Sequence, residues 1–263
     1  MKTPDVHIIR TKDLSIGYHR KSSDILVASD ININLKQGQL IGLVGANGIG
    51  KSTFLRTLSK VQSALSGDIY LNDIPLNRYS NIELAKTMSL VLTEGVASKN
   101  LTVFELVALG RHPYTNWVGN LTSSDIEISK KAIEQARIQD LTTKKCFELS
   151  DGQLQKVMLA RALAQDTDVI ILDEPTTHLD MYHKAYILNL LKKLVDQTGK
   201  TILFSSHEID LAIQLCDTMI VMTQNQVFSD SPKNLIEQKV FEDLFPDDLI
   251  IFDERSGGFR VKN

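Results

Sequence analysis

Cysteine, tryptophan and charge of one sign are what this 263-residue chain has least of: two Cys, one Trp, and a net charge of −3 from 29 Lys and Arg against 32 Asp and Glu. Cys146 and Cys216 have no neighbouring cysteine and no metal-like spacing, so they read as buried or incidental thiols of a reducing compartment, with no disulfide. Without a basic surplus or a basic run of more than a few residues, nucleic acid is not an expected partner. No segment approaches the ~18 apolar residues that a membrane span needs. The opening stretch MKTPDVHIIRTKD also lacks the apolar core of a signal peptide, so the chain is expected to be cytosolic and unable to cross a membrane itself.

What is there suffices for a large core. With 43% apolar residues, a chain of this length buries about three quarters of its unfolded surface, enough for one large domain or a core with a subdomain. Strand-like pieces are expected at His7–Leu14, Ile31–Leu35 and Gln39–Val44, the last running into a glycine loop and a helix over Lys51–Leu58. Another strand, Gly67–Leu71, precedes a polar turn, and Ser80 with Glu83 forms a capping box before the strand Met88–Leu92. From about Gly95 to Gln165 the periodicity turns helical, with capping pairs Thr102/Glu105, Ser124/Glu127 and Ser150/Gln153. Strands Asp168–Leu172, Lys200–Ser205 and Thr218–Met222 then alternate with helices Tyr182–Gln197 and Glu208–Leu215, which implies a mostly parallel sheet. The tail Leu249–Val261 reads as a hairpin with Gly257 and Gly258 in its turn.

Four separated stretches carry chemistry. GANGIGKST at 45–53 has the spacing G-x-x-x-x-G-K-[ST]: the glycines permit a tight turn that turns backbone N–H groups toward an anion, and Lys51 would meet the β- and γ-phosphates. VIILDEPTTHLD at 169–180 ends an apolar strand on two carboxylates. Asp173 is placed to hold Mg²⁺ with the Ser52 hydroxyl, directly or through water, and Glu174 is the candidate general base; a solvated strand end is the plainer reading of the pair. His207, in LFSSHEIDLA, follows another apolar strand and would emerge on the same sheet edge as Gly45 and Asp173, within reach of a γ-phosphate or a water, or else it caps a helix. In LSDGQLQK at 149–156, Ser150 and Gln153 cap a helix whose N-terminal amides attract phosphate.

Together these stretches resemble the ATP-binding subunits of ATP-binding-cassette (ABC) transporters over nearly the whole chain. GANGIGKS is similar to the family's Walker A loop (Gly45, Ala46, Asn47, Gly48, Ile49, Gly50, Lys51, Ser52, followed by Thr53), VIILDEP to its Walker B strand, HLD to its D-loop, and His207 to its switch histidine. LSDGQ, with Ser150, Gly152 and Gln153, resembles the LSGGQ signature, and Tyr18 matches the aromatic that stacks on adenine. The resemblance implies an α/β fold: a P-loop NTPase (RecA-like) core with a mostly parallel sheet, an N-terminal antiparallel β part and an inserted α-helical subdomain. The expected division is a nucleotide-binding core over 1–94 and 166–248, the helical subdomain over 95–165 and a C-terminal hairpin over 249–263, all in a single ABC ATPase domain. It also implies a homodimer that sandwiches two ATP molecules with Mg²⁺, each site pairing one copy's phosphate loop with the other's signature, so that a single chain hydrolyses poorly.

LTVFELVALGRHPYTNW at 101–117 looks most like the subgroup importing ferric siderophores, haem or cobalamin, though a plain amphipathic helix and loop explains the pattern equally. On that resemblance Arg111 to Trp117 forms an interface with a polytopic permease. A substrate-binding protein acts indirectly, and the chain sits peripherally on the inner face of the cell membrane. Two departures from the family pattern stand out. Glu94, in VLTEG, takes the place of the glutamine that senses metal and γ-phosphate; a carboxylate ligates Mg²⁺ too, but adds negative charge, and a solvated loop residue is the alternative. Asp151 replaces the first glycine of the signature, where it favours the helix start but would repel a γ-phosphate. A soluble ABC-type ATPase without membrane partner, or a nucleotide-dependent switch with little turnover, are the rival readings.

Overall fold

The computed structural model describes residues 7–21, 23–92, 99–245, 250–253 and 257–262. In chain order these form strands β1 (His7–Tyr18), β2 (Ile25–Ile31), β3 (Asn34–Lys36) and β4 (Leu40–Gly45), helix α1 (Lys51–Leu58), and strands β5 (Ser66–Leu71) and β6 (Ile74–Pro75). Next come α2 (Asn81–Thr87), β7 (Met88–Val91), α3 (Val103–Ala108), α4 (Ser123–Gln135), α5 (Asp151–Ala164), β8 (Val169–Leu172) and α6 (Met181–Thr198). The chain continues through β9 (Thr201–Ser205), α7 (Ile209–Leu215), β10 (Thr218–Met222), β11 (Val227–Asp230), α8 (Pro232–Glu237), β12 (Ile250–Asp253) and β13 (Gly258–Val261). Two compact units result, residues 1–79 with 201–263, and residues 80–200.

The first unit holds two sheets and a terminal hairpin. β1 is long because it carries three antiparallel partners along its length, β2, β3 and β5, and β5 turns back into β6. This is the antiparallel β part expected from the sequence. The other sheet is built on β4, which pairs in parallel with β9 on one side and β10 on the other, while β11 is antiparallel to β10. A strand flanked on both sides and covered on both faces has no solvent side. Accordingly every residue of β4 is buried and its sequence is an unbroken apolar run with no alternation; β9 is also buried throughout, with Ile202, Leu203 and Phe204 between a terminal Thr201 and Ser205.

The second unit packs helices beside a parallel pair, β7 and β8, in the register Met88↔Val169 to Val91↔Leu172. Its helices start on side-chain caps. Reciprocal capping boxes open α2 at Ser80/Glu83, α3 at Thr102/Glu105 and α5 at Ser150/Gln153, each satisfying two N–H groups that a helix start leaves unpaired. The α4 box is a correction: Thr122 and Asp125 form it, two residues earlier than the expected Ser124 and Glu127. Asp125 wins because its carboxylate accepts from both the N–H and the hydroxyl of Thr122, at 2.9 and 2.6 Å, and at the same time from Arg111. Gly199, with φ 67°, stops α6.

Other differences are local. The expected strand Ile31–Leu35 is two strands, β2 ending at Ile31 and β3 beginning at Asn34. The short β11 and the helix α8, capped by Ser231 with Pro232 in its first turn, were not read from the sequence. β12 pairs with β13 as the expected hairpin; Gly257 has a φ of 64°, whereas Gly258 already belongs to the strand. Neither cysteine is in a disulfide, and both are buried.

Candidate nucleotide site

In the first unit the glycine loop leaves the C-terminal end of the buried strand β4 and enters α1 within five residues. Gly50 sits at the helix N-cap with φ 114°, and a Cβ there would lie 2.3 Å from Val27 Cγ1, so glycine is required on both backbone and steric grounds. Lys51 is 5% exposed. Its ammonium donates to the carbonyls of Gly45 at 3.0 Å and Ala46 at 3.2 Å, folding back over the loop whose N–H groups the sequence assigns to an anion. Ser52 is half-buried beside it, and Asn47 and Gly48 face solvent. The positive end of the α1 dipole adds to the ammonium charge, so the loop attracts an anion.

Tyr18 ends β1 and is 45% exposed, with its hydroxyl in a 2.9 Å hydrogen bond to Thr53 Oγ1 of α1. That contact holds a solvent-facing ring beside the helix that carries the loop. His207 is exposed just past β9. Because β4 and β9 are parallel with Leu43 opposite Ser205, and the Ser206 N–H reaches the Leu43 carbonyl at 3.0 Å, both chains leave the sheet at one edge. His207 is not the helix cap: Glu208 occupies the N-cap of α7, with its N–H on Ser206 Oγ at 2.9 Å.

In the second unit Asp173 follows β8 directly, 2% exposed, with its N–H on the Val91 carbonyl at 2.8 Å. The acidic pair therefore continues a buried strand end and is no solvated terminus. Glu174 is half-buried, has φ 50°, and receives a 3.0 Å hydrogen bond on Oε2 from the Thr177 hydroxyl. No sequence pattern points to Thr177; only the backbone turn brings its hydroxyl to that carboxylate. Glu94 lies outside the described residues.

Ser150 and Gln153 make their cap as expected, with the Gln153 N–H on Ser150 Oγ at 3.3 Å and the Ser150 N–H on Gln153 Oε1 at 3.1 Å. Asp151 is exposed at the first position of α5. A Cβ on Gly152 would meet Leu179 and His183 at 3.5 Å, so the signature lies against the loop 178–180 and the start of α6. Asp180 caps α6 and bonds His183 Nδ1 at 2.8 Å; hydrogen bonds from the His183 backbone, then from its ring, hold the Asp180 carboxyl below its ordinary value.

The segment expected to face a permease divides in two. Trp117 is 97% exposed, but Arg111 is 5% exposed and cannot present its charge outward. Its guanidinium bonds Asp125 at 2.9 Å and the Ala164 carbonyl at 2.8 Å, with the Tyr114 ring 3.9 Å from Cζ. Leu109, Tyr114, Trp117 and Val118 are the exposed large apolar side chains of this stretch.

The family model described as "ABC transporter" matches residues 28–177, more than half of the chain. The chain is 37% identical to an uncharacterized ABC transporter ATP-binding protein of Methanocaldococcus jannaschii, over 97% of this chain and 87% of that one. It is 36% identical to the iron(3+)-hydroxamate import ATP-binding protein FhuC of Bacillus subtilis, over 84% of this chain and 81% of that one. Among solved structures, a dimeric ATP-binding cassette in a post-hydrolysis state bound to ADP and Pi superposes with a TM-score of 0.73 at 26% identity, covering 86% of this chain and 99% of that one.

Proposed function

The chain belongs to the ABC transporter family of ATP-binding proteins, and from that membership we propose that it is the ATP-hydrolysing subunit of an importer for ferric siderophores or related iron and tetrapyrrole complexes. The observation that carries the reading is the loop itself: a buried strand delivers Gly45 to Gly50 into α1 with the Lys51 ammonium held over the loop carbonyls. An ammonium already desolvated to this degree exchanges carbonyl partners for phosphate oxygens at small cost. The iron-hydroxamate relative supports the substrate class.

In this mechanism Gly45 to Thr53 hold the triphosphate, and the Tyr18 ring stacks on adenine. Ser52 and Asp173 supply hydroxyl and carboxylate oxygens, the donor type that Mg²⁺ takes beside phosphate oxygens and water, and Asp173 is buried at a strand end as a ligand of fixed position should be. Mg²⁺ there would offset charge on the phosphates. Glu174 accepts a proton from the attacking water as the water oxygen bonds to the γ-phosphorus and ADP departs; His207 donates a hydrogen bond to the γ-phosphoryl oxygens. Ser150, Gly152 and Gln153 of a second copy close the site, consistent with the dimeric cassette bound to ADP and Pi. Closure moves a membrane permease, to which a substrate-binding protein delivers the cargo. Among the described residues no helix is long and apolar enough to cross a membrane.

The test is ATP turnover with the permease present. Glu174→Gln should bind ATP normally and lose at least about a hundredfold in kcat, the range for removing a positioned general base. Equal rates for the two chains would overturn the mechanism, and failure to co-purify with any polytopic membrane protein would favour a soluble ATPase.

A further inference from the structure

We propose that Thr177 is a positioning residue for Glu174, clasping it at both ends. The inference rests on the ATPase reading above for its functional consequence, and on the second unit alone for its geometry.

Glu174 precedes Pro175, where the backbone favours the extended region. The chain nevertheless has φ 50° at Glu174, which is strained for a residue with a side chain. Something must hold it there. The Thr177 N–H donates to the Glu174 carbonyl at 3.2 Å, closing the turn, and the Thr177 hydroxyl donates to Glu174 Oε2 at 3.0 Å. One residue thus fixes both the backbone that aims Glu174 and the carboxylate it carries. A donor on one carboxylate oxygen orients the group without exhausting its roughly four acceptor sites, so a proton can still be received.

Thr177 is itself anchored. It is half-buried between Thr176, which is 4% exposed, and the loop 178–180 that packs against Gly152 and caps α6. Thr177 thus links the base to the loop that adjoins the signature. Moving that loop moves the hydroxyl that holds the carboxylate. A valine keeps the shape of threonine and removes only the donor, whereas a serine keeps the donor and removes a methyl group.

With the permease present, Thr177→Val should lower kcat roughly tenfold to a hundredfold, the penalty of a reacting group misplaced by about 1 Å, while KM for ATP stays within about twofold. Thr177→Ser should return most of the rate. An unchanged or raised kcat in Thr177→Val, or equal losses in the valine and serine chains, would overturn the proposal. A crystal structure of Thr177→Val gives an answer independent of turnover: the Glu174 carboxylate should leave its present place, and a carboxylate unmoved without its donor would also overturn it. Wild-type turnover unaffected by Glu174→Gln defeats the ATPase reading, whereas full Thr177→Val activity beside an inactive Glu174→Gln defeats only this inference.

Discussion

The glycine loop of the first unit is held by main chain, while the Glu174 carboxylate and the helix starts of the second are held by side chains. Gly50 takes φ 114° and Lys51 leans on two carbonyls; Glu174 leans on the Thr177 hydroxyl, α5 on Ser150 and Gln153, and α4 on a carboxylate that also secures Arg111. A main-chain site depends on which residues can adopt its dihedrals, so its sequence is nearly dictated. A side-chain site depends on partners several residues or a whole helix apart, so different residues can do the same task.

The largest effect expected from that contrast is at the buried pair Arg111–Asp125. Hydrogen bonds from the Thr122 hydroxyl, then the Thr122 backbone, then Arg111 lower the Asp125 carboxyl from 3.8 to about 2. A carboxyl depressed on folding stabilises above its unfolded value and loses that contribution as pH falls through the folded value, so the window here runs from near pH 4 down to about 2. Asp125→Asn should destabilise the protein by about 3–5 kcal/mol at neutral pH, because a buried guanidinium loses its counter-charge. Urea unfolding curves of the two chains should converge as pH approaches the lower end of that window. A constant gap at all pH values would mean that packing, and not the ion pair, holds α4.

Gly50→Ala tests the main-chain side and should cost about 2–3 kcal/mol, since strain at φ 114° adds to overlap with Val27. Binding of a fluorescent ATP analogue should be lost with it. Adding Val27→Ala removes the overlap but not the strain, and should restore only part of the binding. Full restoration would make the loop a matter of space alone.

The same contrast explains what the sequence made legible. The glycine loop, β4 and α1 were readable because spacing and an unbroken apolar run determine them, and Asp173 was readable as the end of another such run. β2, with the burial pattern of two exposed, two half-buried, two exposed and one buried residue, has no period to read. The α4 cap was misplaced because Ser124 and Glu127 fit the capping pattern as well as Thr122 and Asp125; the tie is broken by Arg111, which lies 14 residues from its partner. Arg111 was expected at an interface from the resemblance of its segment, and its burial depends on partners distant in the chain, Asp125 and Ala164. Thr177 gave no signal, since its hydroxyl reaches Glu174 only after the backbone has turned left-handed.

The smallest effect is expected where the two ways of building meet, at Asp151, a carboxylate standing where the family's signature has glycine. It is exposed at the first turn of α5, where a negative charge favours the helix by about 0.3–1 kcal/mol. If α5 also presents its N-terminus to the nucleotide of a second copy, the same charge opposes closure. Asp151→Asn keeps the shape and removes the charge, so thermal stability should fall slightly while ATP-driven dimerisation, followed by sedimentation, strengthens. The gain should be clear at ~0.01 M salt, where the screening length is about 30 Å, and shrink at ~0.15 M, where it is about 8 Å. A stability loss without any gain in dimerisation would place the Asp151 carboxylate away from the partner's phosphates and leave it as a helix-start residue alone.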